Sequence, residues 1–91
     1  MTRSEILDTA KHAVCGERDK QYGKPEDNFA QIAAHWSQHI KGRYGVRIPF
    51  DGVDVAAMMI AVKLARISTG AGKNDNWIDI AGYAACGGEM E

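Results

Sequence analysis

Apolar residues recur at helical spacing in four stretches of the chain, and nowhere do they alternate with period two. Ile6, Leu7, Ala10, Ala13 and Val14 share one face and predict a helix over residues 3–15. Thr2 with Glu5 fits a capping box at its start, and Gly16 fits its stop. Phe29, Ile32, Ala33, Trp36 and Ile40 form the stripe of a second helix over 26–41. Pro25 suits its first turn, Glu26 and Asp27 suit the positive end of its dipole, and Gly42 and Gly45 end it. A third helix over 51–67 is apolar on almost every side, with Asp51 as N-cap and Asp54 three residues on. After the break at Gly70 to Asn74, a fourth helix is capped by Asn74 or Asp75. It passes through Trp77, Ile78, Ala81, Tyr83 and Ala85 towards Cys86, with Gly87 and Gly88 as its stop. The pattern predicts an all-α protein, a compact bundle of about four helices, as a single domain over residues 1–91.

The third helix is expected at the centre of that bundle. Ala57, Ala61 and Ala65 recur every four residues and let another helix approach closely. A chain of 91 residues buries only a modest core. An apolar helix in so short a chain is therefore expected to finish its burial against another copy, giving a homo-oligomer.

Two cations interrupt this helix. Lys63 and Arg66 lie in its second half, and a charge among apolar residues needs a partner. One reading lets them snorkel to solvent or pairs them structurally with Asp79 or Glu17; the other uses them to bind phosphate, with Arg as a planar fork and Lys as a point charge. Asp75 and Asp79 share a face one turn apart, and Tyr83 extends it by another turn. Asp54, Asp75 and Asp79 could hold Mg²⁺ through carboxylate oxygens, although capping accounts for the first two. The polar stretch Glu17-Arg-Asp-Lys-Gln-Tyr-Gly-Lys24 is either a solvated turn or part of a ligand site. Tyr22 beside Gly23, flanked by Arg18, Lys20 and Lys24, combines a stacking ring, a free backbone and cations. Asn28 would read a base edge or cap the second helix. Trp36, Trp77 and Tyr83 read first as core aromatics, and Trp77 is the one among polar neighbours in a first turn. His35 and His39 are one turn apart without a third ligand type nearby.

Charge and cysteine usage narrow the classes. The formal net charge is −1, so no field draws the chain to a nucleic acid polymer or a membrane surface, and any anion site must be local. Cys15 and Cys86 are the two cysteines, in no metal-binding or CxxC spacing. The polar N-terminus has no apolar signal region, and no apolar run reaches the length of a membrane span. A reducing, cytoplasmic location is expected. No Walker-type glycine loop or nucleophile elbow is present.

The ordered set Glu17-Arg-Asp-x-x-Tyr-Gly-x-Pro25, Asn28-Phe, Ile32-Ala-x-x-Trp36, Asp54-Val-x-x-Met-Met-x-x-x-Lys63-x-Ala-Arg-Ile67 and Asp75-Asn-Trp-x-Asp79-x-x-Gly82-Tyr83 resembles a family of small, mostly uncharacterised proteins of tailed phages and prophages. The resemblance covers roughly residues 17–86. A more distant one is to the all-α MazG-like nucleotide pyrophosphohydrolases, in which acidic residues of two helices hold Mg²⁺ over a nucleoside triphosphate. Those enzymes use Glu-Glu-x-x-Glu and then Glu-x-x-Asp. Here the corresponding helix offers Asp54 followed by Lys63 and Arg66, and the second acidic pair has spacing four. Several carboxylates are needed to offset two or three Mg²⁺ ions, so weight moves from hydrolysis to binding.

Together these readings imply a phage protein of the infected host's cytoplasm that binds and sequesters a nucleotide or cyclic (di)nucleotide. By analogy of size and type with small phage proteins that trap defence signals, it would be a sponge of the anti-CBASS or anti-Thoeris kind. Arg18, Lys24, Lys63 and Arg66 would contact phosphate, Tyr22 (beside Gly23) or Trp77 would stack, and Asp79 and Asn28 would orient cations or read polar edges. No cofactor is then required. The alternatives are a Mg²⁺-dependent pyrophosphohydrolase using Asp54, Asp75 and Asp79, and a protein–protein inhibitor or adaptor acting through the charged loop.

Overall fold

The structure, a computed structural model, describes residues 1–16 and 23–91. Among these it contains four helices and no strand: α1 (Arg3–Val14), α2 (Pro25–Tyr44), α3 (Gly52–Ser68) and α4 (Lys73–Met90).

Local chemistry explains most of the boundaries. The Thr2–Glu5 capping box forms in full at the start of α1: Glu5 N–H donates to the Thr2 hydroxyl at 3.1 Å, and Thr2 N–H donates to the Glu5 carboxylate at 3.0 Å. Asp51 and Asp54 make the same reciprocal pair at the start of α3, both bonds at 3.0 Å. Pro25 occupies the first turn of α2, as its fixed φ and missing N–H favour. At the other end Gly45, in the left-handed conformation, caps α2, while Gly42 lies inside the helix.

The start of α4 differs from expectation. Asn74 and Asp75 lie within the first turn, the N-cap is Gly72, and no side chain caps it. Asn76 accounts for this. It is 2% exposed, and its Nδ2 donates to the carbonyl of Ala71 and, at 2.7 Å, to that of Gly72. The turn between α3 and α4 is thus tied from inside α4.

The end of α4 also differs. Gly87 and Gly88 do not stop the helix, which runs on to Met90. A Cβ on Gly87 would come within 2.9 Å of the Ala56 Cβ on α3, and one on Gly82 within 3.1 Å of a Val14 methyl on α1. Gly82 and Gly87 are therefore sites of close helix approach. The propensity cost of an interior glycine, about 1 kcal/mol, is offset by that packing.

For the same reason the hub of the bundle is α4, not α3. Helix α4 packs against α1, α2 and α3, whereas α3 packs chiefly against α4 and α2. The core gathers Phe29 and Ala33 of α2, Val55 and Ala56 of α3, and Cys86 of α4, with Trp36, Met59, Tyr83 and Met90 closing around it. Trp36 meets Phe50 edge to face with centroids 6.1 Å apart. The Phe50 N–H donates to the Ser37 hydroxyl at 3.1 Å, which ties the α2–α3 connection back onto α2. Trp77 stays outside the core, half exposed; Cys15 is exposed and Cys86 is buried. No helix among the described residues is long and apolar enough to cross a membrane.

Candidate functional site

Helices α3 and α4 form an antiparallel hairpin. Gly52 lies beside Met90, Ala56 beside Gly87, Lys63 beside Asp79, and Arg66 beside Gly72. The third of these contacts joins the two charges singled out from the sequence. The Lys63 ammonium stands 3.0 Å from an Asp79 carboxylate oxygen, with the lysine side chain 14% exposed and the aspartate 41%. The expected structural pair is therefore present, and its acidic half opens to solvent.

Asp79 also lines a cleft of about 210 Å³ between α1, the start of α2 and α4. Its apolar wall comes from Val14, Phe29 and Ile78, and its floor includes Gly82 and Cys86. Tyr83 lines it too, with its ring 5.9 Å from that of Phe29 and tilted against it. Gly23, Pro25 and Asn28 bring the first turn of α2 to the rim. Lys24, between Gly23 and Pro25, is exposed at the N-cap of that helix.

The structure thus brings Gly23, Asn28 and Asp79 to one cleft, with Lys63 paired to Asp79 at its edge and Lys24 beside the rim. It does not bring Trp77 or Arg66 there. At about 100° per residue, Trp77 points away from the α4 face formed by Ile78, Asp79, Gly82 and Tyr83. Trp77 lines a separate shallow hollow at the α3–α4 turn with Ile67, Gly70 and Lys73, and Arg66 lies next to the same turn. Arg18, Tyr22 and the alternative cation partner Glu17 lie outside the described residues.

The three carboxylates of the Mg²⁺ alternative are spread along the hairpin. Asp54 belongs to the capping box at the start of α3, level with the end of α4. Asp75 is exposed in the first turn of α4, which the hairpin places roughly 18 Å away. Asp79 lies between these levels and is paired with Lys63. Among the described residues, no three His, Cys, Asp or Glu side chains stand close enough to hold one metal ion.

Two features of the local architecture escape a reading of the sequence. Phe29 supplies a ring wall together with Tyr83, a pairing that needs α2 and α4 to be placed first. Asn76 locks the turn that sets the register of α4, and so of Asp79. The sequence does carry a hint of Asn76: a glycine-rich turn exposes carbonyls that need donors, and an Asn just downstream can supply them.

Similarity to known families and proteins adds a second line. A family model described as "Domain of unknown function (DUF6378)" matches residues 5–91. The Gene 55 protein of Mycobacterium phage D29 is 37% identical over 81 residues, covering 89% of this chain and 50% of that protein. The Gene 55 protein of Mycobacterium phage L5 is 38% identical over 79 residues, covering 87% of this chain and 47% of that protein. The chain therefore spans about half the length of the curated relatives it matches. No solved structure matches. With nearly its whole length inside the family model and phage proteins as its relatives, the chain belongs to the DUF6378 family.

Proposed function

We propose that the cleft between α1, α2 and α4 binds a nucleotide and holds it without turning it over. The observation that carries this reading is the convergence on one cleft of the Lys63–Asp79 pair, the Asn28 amide and the Tyr83 and Phe29 rings. An amide has the donors and acceptor to read a base edge, a ring wall accepts the flat face of a base, and an ammonium supplies a point charge for phosphate. Asp79 holds the Lys63 ammonium at 3.0 Å, beside the cleft, in the unliganded chain. On binding, the ammonium exchanges the carboxylate for phosphate, and Asp79 accepts from a sugar hydroxyl or base N–H. Lys24 adds a second, exposed cation.

The cleft lies below the usual range for a whole drug-sized ligand, about 300–1,000 Å³. It suits one nucleoside unit with its phosphate at the rim, and favours a mononucleotide over a cyclic dinucleotide within a single chain. Sequestration also fits the acidic residues better than hydrolysis does, because Asp54, Asp75 and Asp79 stand at separate levels of the hairpin. In a phage-infected cell such a protein would act as a sponge for a nucleotide signal of host defence.

The test is to purify the protein from its host, denature it and identify the small molecules released. Intact nucleotide in near-stoichiometric amount supports capture. Product formed at turnover on adding Mg²⁺ to a nucleotide panel supports the hydrolase instead. If nothing is released and no nucleotide titrates the purified protein, the proposal fails.

A further inference from the structure

Helix α3 is apolar on almost every side, but the chain covers only one of them. Its buried side, Val55, Ala56, Met59 and Lys63, faces α4 and the core. The opposite side carries Ala57, Met58, Ala61, Val62, Leu64 and Ala65, all exposed, with no charge among them. Met58, Val62 and Leu64 are 44%, 47% and 49% exposed. A helix without a polar face is normally buried all round.

The total surface is large for the mass of the chain. The chain exposes 6654 Å², whereas a folded monomer of 9.9 kDa exposes about 5,200 Å². The excess, roughly 1,450 Å², is larger than the share one partner contributes to a standard protein interface, about 800 Å². The radius of gyration agrees, at 14.4 Å against about 12 Å for a chain of this length.

The pattern on the exposed side identifies the partner. Ala57, Ala61 and Ala65 form a low ridge, and Met58 and Val62 form a high ridge beside it. Two copies related by a two-fold axis near Ala61, with their α3 helices antiparallel, set the low ridge of each against the low ridge of the other, with Met58 of each copy towards Leu64 of the other at the sides. That is the self-complementarity an isologous interface needs.

We infer that this side of α3 docks a second copy of the chain, forming a two-fold dimer around Ala61. The interface lies on the face of α3 opposite Lys63 and leaves the α1–α2–α4 cleft of each copy open. The inference therefore stands independently of nucleotide binding.

Sedimentation equilibrium of the whole chain tests it, alongside Met58→Glu and Val62→Glu variants. Both substitutions sit at exposed positions and leave the monomer's own core intact. The expected result is twice the monomer mass for the unaltered chain and the monomer mass for the variants, with unchanged circular dichroism. An Ala61→Cys substitution in a Cys15→Ser background gives a positive readout, since the two introduced thiols face each other across the axis and oxidise to a covalent dimer. A monomer mass at every concentration up to near-millimolar, with no cross-link forming in the Ala61→Cys variant, overturns the inference. So does a dimer that survives both glutamates, since its contact would lie elsewhere.

Discussion

Lys63 of α3 and Asp79 of α4 face each other across 3.0 Å, and Asp79 lines the cleft between α1, α2 and α4. A partly solvent-exposed ion pair of this kind contributes about 1 kcal/mol or less. Its removal should therefore be tolerated by the fold. Lys63→Met, which keeps the aliphatic stem, is expected to lower stability by no more than about 1 kcal/mol. The same change is expected to weaken nucleotide binding at least tenfold. Urea unfolding and calorimetric titration of one preparation check both. Unfolding of the variant with no separable binding defect would make the pair purely structural.

Close approach of α3 and α4 at Ala56 and Gly87 predicts opposite outcomes at adjacent glycines. Gly87→Ala pushes a methyl to 2.9 Å from the Ala56 Cβ, which has no rotamer by which to yield. A loss of about 1–2 kcal/mol is expected, net of improved helix propensity. Gly88→Ala meets nothing within 4 Å and should stabilise the chain by about 0.5 kcal/mol. Thermal unfolding of the two variants checks the pair.

The buried Asn76 amide ties the α3–α4 turn through the carbonyls of Ala71 and Gly72. Asn76→Ala removes both bonds and is expected to cost about 1–2 kcal/mol. Amide hydrogen exchange should rise first in the turn and the first turn of α4, ahead of the core around Val55.

Acid should loosen α1 from its N-terminal end. The Glu5 carboxyl is held below its ordinary value of 4.5, first by the hydrogen bond from the Thr2 backbone and then by the Thr2 side chain. Because the folded value is the lower one, the contribution of this carboxylate is fully present above the unfolded value. It is lost as pH falls through the folded one. Amide resonances of α1 should report fraying only below the ordinary carboxylate range, and a Glu5→Gln variant should lack that step.

The parts of this fold that are legible in the sequence are those with local causes. Both capping boxes, Pro25 at the head of α2 and the four-helix pattern follow from residues within a turn of one another. The Lys63–Asp79 pair is also legible, because an apolar helix leaves a lysine few alternatives. What the sequence hides is tertiary. Gly87 and Gly88 look like a stop until Ala56 is placed against the first of them, and Asn76 looks like an ordinary first-turn residue until its amide is seen on two carbonyls. Trp77 has the chemistry of a stacking residue, but the helical period turns it away from the face that carries Asp79.

The central claim is that the cleft between α1, α2 and α4 holds a nucleotide, and chemical-shift mapping during titration with a nucleoside monophosphate tests it most directly. Saturable shifts centred on Asn28, Phe29, Asp79 and Tyr83, with the Lys63 ammonium moving and Trp77 unmoved, are the predicted result. The absence of saturable shifts, or shifts confined to Trp77, Arg66 and the α3–α4 turn, would contradict it.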